Sequence, residues 1–92
     1  MAMLPREREP SAARVERQKY GGLTAKQRAV AVLIARGRSN REIAEELVVG
    51  VRTVETHVTQ ILMRLGFTSR SQIAAWATET GLARAIPSAD AR

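Results

Sequence analysis

Arg52, Thr53, Thr56, Thr59 and Gln60 lie in one short stretch, at spacings that collect them on one side of a helix. Side chains that are short, polar and mostly uncharged can approach base edges closely and still hydrogen-bond to them, so the set suits the major groove of DNA. Met63 is the only apolar residue on that side. The other side carries Val51, Val54, Val58, Ile61, Leu62 and Leu65, within an arc of about 100°, the apolar stripe of a helix with one buried face. Upstream, Ser39 and Asn40 open a second helix, where free first-turn amides make a phosphate site. Both residues acting purely as helix caps is the plainer alternative, and the two roles can coexist. A stripe alone also fits a helix whose polar side meets only water.

Other chemistry finds little support. His57 is the single histidine and there is no cysteine, so thiolate metal sites and disulfides are excluded. Nothing forms a phosphate-cradling glycine loop or a metal-ligand cluster, and an enzyme or a bound cofactor is not expected. The net charge of +6, from 15 Lys and Arg against 9 Asp and Glu, favours a polyanionic partner. The excess is spread along the chain without a dense basic block. The longest apolar run, Ala29–Ala35, falls far short of the ~20 residues that span a bilayer. The first ten residues lack an apolar signal core, and a cytoplasmic location with no membrane partner is the expectation.

The elements that would position these residues are marked by their caps. Thr24-x-x-Gln27, Ser39-x-x-Glu42 and Ser69-x-x-Gln72 are capping boxes, each opening a helix. The first helix carries Val30, Leu33 and Ile34 at helical spacing, and Gly37 supplies the left-handed residue that ends it. Arg36 and Arg38 stand near its negative end, where cations are favoured. The second turns Ile43, Ala44 and Leu47 inward and exposes Glu42, Glu45 and Glu46, so only its N-terminal end suits DNA. Val48-Val49-Gly50 forms the turn into the third helix, with Gly50 a second-rate N-cap. Leu65-Gly66 closes that helix and Phe67 folds back over its end. The fourth helix places Ile73, Trp76 and Ala77 on one side and ends at Gly81. The expected fold is therefore all-α, four helices, with flexible tails over residues 1–22 and 83–92 and Gly21-Gly22 as a hinge.

The chain resembles the DNA-binding domain of LuxR-type (GerE-like) bacterial transcription regulators. The resemblance spans Leu23 to about Leu82. It rests on Leu23-Thr24, Gly37, Ser39-Asn40, Ile43-Ala44, Leu47, Thr53-Val54, His57-Val58, Ile61, Leu65-Gly66 and Ser69-Arg70. It implies a helix-turn-helix over residues 23–82 whose third helix enters the major groove of double-stranded DNA. The fourth helix then serves a homodimer, through Ile73, Trp76 and Ala77. Trp76 closing its own core is the competing reading of that face. RNA polymerase is a further partner that such a regulator implies. Ser39, Asn40, Arg52, Thr53, Glu55, Thr56, His57, Thr59 and Gln60 are the expected DNA-binding residues. His57 is divided between phosphate contact and partial burial.

Four positions depart from the family pattern. Gln27 stands where glutamate is usual, and Gly50 replaces a Ser or Thr cap. Val48 occupies a turn position that often takes glycine. Either it adopts negative φ or Gly50 takes up the bend. Glu55 lies where relatives commonly carry lysine. It can pair with Arg52, accept from a cytosine amine, or face water. Many relatives carry a receiver or ligand-binding domain upstream, so a stand-alone regulator and a piece of a larger one both remain open. A helical protein-interaction module, including the related four-helix end of a sigma factor, is the alternative to DNA binding.

Overall fold

Thr24 opens the first helix by accepting from the Gln27 N–H at 3.1 Å, while Gln27 Oε1 accepts from the Thr24 N–H at 3.0 Å. The same reciprocal pairing joins Ser39 to Glu42 and Ser69 to Gln72, so each of the three capping boxes satisfies two orphan amides. The computed structural model of the chain describes residues 20–85. These hold α1 (Ala25–Ala35), α2 (Asn40–Leu47), α3 (Val51–Leu65), α4 (Arg70–Glu79) and α5 (Leu82–Ala85), with no strand among the described residues. The four expected helices are present. The fifth is a single turn beyond Gly81, and its Leu82 is fully buried. The expectations for residues 1–19 and 86–92 lie outside the described residues.

Helix α1 is the central element. It packs against α4 and α3 and touches α2 and α5, so Val30, Ala31, Val32, Leu33 and Ile34 are all buried. A helix enclosed on several sides is apolar nearly all round, which is why its core residues exceed a single stripe. Gly37, at φ 83°, ends α1 as expected, and the Arg38 N–H reaches back to the Leu33 carbonyl at 3.0 Å.

The α2–α3 turn departs from both alternatives drawn from the sequence. Val48 itself takes the left-handed conformation (φ 58°, ψ 52°), while Gly50 stays extended at φ −76°. A β-branched residue there costs on the order of 1–3 kcal/mol. The conformation lets the N–H groups of Val48 and Val49 both reach the Ala44 carbonyl. The Val48 side chain is 86% exposed, so packing does not impose the strain; closing α2 does.

In α3, Val54 and Ile61 are fully buried and Val58, Leu62 and Leu65 are half-buried against the core. Val51, expected in the same stripe, is 40% exposed, because the first residue of the helix stands clear of the core. Gly66 at φ 72° ends α3, and Phe67 folds back, its N–H meeting the Leu62 carbonyl at 2.9 Å.

The expected hinge before the domain is a packed turn instead. Tyr20 is buried, and its carbonyl accepts from the Leu23 N–H at 3.2 Å. A Cβ on Gly21 would stand 2.5 Å from Leu65 Cδ2 and 3.5 Å from Trp76 Cζ2. A side chain at this position would push the Leu65 tip aside, and the φ of 66° favours glycine as well.

Candidate nucleic-acid interface

Because α3 turns Val54 and Ile61 into the core, the residues on the opposite side of the helix face outward. Arg52, Thr53, Glu55, Thr56, Thr59 and Gln60 are all exposed, and all but Thr53 line one shallow depression. Thr56 donates its hydroxyl hydrogen to the Arg52 carbonyl at 3.1 Å, which leaves its oxygen as an acceptor and its methyl outward. Met63 is 76% exposed on the same side. The surface is polar and nearly uncharged, with Arg52 at its start. Glu55 forms no ion pair with Arg52 among the described residues.

Gln60 is less free than the sequence suggests. Its Oε1 accepts from Gln27 Nε2 at 2.9 Å, and Gln27 is 8% exposed. The bond joins α1 to the exposed polar side of α3. Sequence reasoning placed Gln27 in a capping box and left the other half of its amide unassigned. No local spacing points to a partner on another helix.

At the start of α2, Ser39 Oγ accepts from the Glu42 N–H at 3.1 Å, and the Ser39 carbonyl accepts from the Ile43 N–H at 2.8 Å. The N–H groups of Asn40 and Arg41 are the ones without intrahelical acceptors. Asn40 is half-buried and its Oδ1 accepts from Arg70 Nη1 at 2.6 Å, while Arg70 Nη2 donates to the Arg38 carbonyl at 2.7 Å. Arg70 thus pins the first turn of α2 to α4. Arg70 is absent from the expected DNA-binding residues. The Ser-Arg pair after Gly66 was its only trace in the sequence.

His57 is half-buried, and its Nδ1 is buried without a hydrogen-bond partner. Any polar contact outside the domain must therefore go through Nε2. The acids of α2 are partly offset: Glu46 lies 3.7 Å from Arg38 and Glu45 lies 4.0 Å from Arg41. The latter pair is exposed and contributes little.

The proposed dimer residues do not form a surface. Ile73 and Ala77 are fully buried, and Trp76 is half-buried against the same core. The cause is the close packing of α4 on α1, which the small residues of α4 permit. Of the two readings of that face, the intramolecular core is the one observed. Ser71, Ala75, Thr78 and Glu79 are exposed on the side of α4 away from it. Among the described residues no group of His, Cys, Asp and Glu could hold a metal ion, and no helix is long and apolar enough to cross a membrane.

Two helices joined by a tight turn, the second buried on one side and polar on the other, define a helix-turn-helix. The family model described as "Bacterial regulatory proteins, luxR family" matches residues 22–77, and the chain belongs to that family. It is 44% identical over 58 residues to the transcriptional regulatory protein LiaR of Bacillus subtilis, covering 63% of this chain and 28% of LiaR. It is 40% identical over 67 residues to the uncharacterized transcriptional regulatory protein YhcZ of the same organism, covering 73% of this chain and 31% of YhcZ. With the oxygen regulatory protein NreC of Staphylococcus aureus it shares 46% identity over 50 residues, covering 54% of this chain and 23% of NreC. The chain therefore spans less than a third of the length of these relatives.

Proposed function

We propose that the chain binds double-stranded DNA sequence-specifically as a transcription regulator, with α3 in the major groove. The observation that carries this reading is the division of α3: one side is buried through Val54 and Ile61, and the other exposes an uncharged polar row from Thr53 to Gln60 broken only by Glu55. Such a row suits base edges, and it lies beside a helix N-terminus with free amides, which suits phosphate. Arg52, Thr53, Ser39, Asn40 and His57 hold the backbone, and Thr56, Thr59, Gln60 and Glu55 meet bases. A carboxylate in the groove needs a donor, and cytosine offers one through N4, so Glu55 is assigned to cytosine. The outward row of α4, Ser71, Ala75, Thr78 and Glu79, is the surface left for a second copy on DNA. RNA polymerase is the partner through which a bound regulator acts.

Selection from a random duplex pool, followed by titration across salt concentrations, tests the reading. A recovered half-site and an affinity that falls steeply with salt are expected. Recovery of no common sequence, or binding indifferent to salt, overturns it.

A further inference from the structure

Resting on that reading, we propose that Gln27 is a positioning residue that sets the base preference of Gln60. Gln27 Oε1 is committed to the Thr24 N–H at 3.0 Å as part of the cap of α1. Its amide can then present only Nε2 to α3, and Nε2 donates to Gln60 Oε1 at 2.9 Å. Gln27 is 8% exposed, so water has little access to its own side of either bond. The orientation of one carboxamide is passed to the next, from a helix cap to the groove-facing side of α3.

The consequence lies in what Gln60 has left. A glutamine with a free carboxamide pairs with adenine through both groups, its oxygen accepting from N6 and its nitrogen donating to N7. Gln60 has its oxygen turned to Gln27 and offers only N–H donors to the groove. Donors alone fit a base edge that presents acceptors: guanine through O6 and N7, or thymine through O4. Gln60 shares its depression with Arg52, Glu55, Thr56 and Thr59, so it stands among the residues assigned to bases. The chain therefore prefers a keto base, guanine or thymine, where Gln60 meets the duplex.

Gln27→Glu is the informative change. A carboxylate keeps the acceptor that the Thr24 cap needs but has no hydrogen to give, so Gln60 must turn its own amide hydrogens toward it. The Gln60 carbonyl then faces the groove and favours an amine-bearing base, adenine or cytosine. The full chain and its variants are measured on the selected duplex with each of the four base pairs substituted at each position. The wild type should favour guanine or thymine by about tenfold at one base pair. Gln27→Glu should move that preference to adenine or cytosine, and Gln60→Ala should remove it. In the Gln60→Ala background, Gln27→Glu should change nothing at that base pair. If Gln27→Glu lowers affinity equally for every sequence, or Gln60→Ala keeps the wild-type preference, the relay is wrong while DNA binding stands. Should Gln27→Glu unfold the domain, a wild-type preference retained by Gln60→Ala overturns the relay by itself, and its loss supports it. A wild type that binds no duplex overturns both.

Discussion

The carbonyl oxygen of Asn40 accepts from Arg70 and that of Gln60 accepts from Gln27, so each carboxamide keeps its N–H donors for a partner outside the domain. Phosphate oxygens accept and never donate, which suits Asn40 at the start of α2. Glu55 is the reverse case, an exposed acceptor with no cation paired to it among the described residues. Guanine and thymine present acceptors that repel a carboxylate, and the N6 amine of adenine lies beside the N7 acceptor. Cytosine presents a donor alone. Glu55→Ala and Glu55→Gln should therefore each lose about 1–3 kcal/mol of discrimination at one base pair while binding random duplex slightly more tightly. Competition binding with single-base variants of the selected site measures both effects. Unchanged preference with tighter binding to every sequence would reduce Glu55 to a bystander.

At the scale of the helices, α4 decides how a second copy can approach. Ala77 is fully buried and Ala75 is exposed, so the same substitution should separate core from surface. Ala77→Glu buries an unpaired charge and should unfold the domain, a loss of more than about 3 kcal/mol. Ala75→Glu should leave the unfolding midpoint nearly unchanged and weaken cooperative binding to a probe with two half-sites one helical turn apart. Circular dichroism melts and gel-shift titrations distinguish the two. Helices α1, α2 and α4 were legible in the sequence because their caps are local, each written within four residues from Thr24, Ser39 or Ser69, and α3, which has no side-chain cap, was legible from its apolar stripe. The direction of Ile73 and Ala77 was not. A side chain that faces a core and one that faces a partner share the same spacing, and only the neighbouring helix tells them apart. Val48 was illegible for a related reason: its left-handed backbone serves the closing of α2, against its own preference. The bonds from Gln27 to Gln60 and from Arg70 to Asn40 cross between helices and leave no periodic trace.

For the molecule as a whole, the core is completed from both flanks of the helix-turn-helix. Tyr20 and Leu23 enter from one side and Leu82 from the other, all buried with α1. Gly21 is the tightest joint in this arrangement. Gly21→Ala should destabilise the domain by about 1–3 kcal/mol through overpacking against Leu65, with a further cost from its positive φ. Urea unfolding of the variant and wild type measures it. A change below a few tenths of a kcal/mol would show that Leu65 yields freely.

The same joint ties the start of the folded domain to one end of α3. Gly21 and Gly22 rest on Leu65 and Arg64, at the C-terminal end of α3, whereas Arg52 begins the exposed polar row near the other end. At helical rise the two ends lie about 20 Å apart. Helix α3 is held along its length by Val54, Val58, Ile61, Leu62 and Leu65, so its two ends belong to one rigid rod and a disturbance of the joint at Leu65 is felt at the row that Arg52 begins.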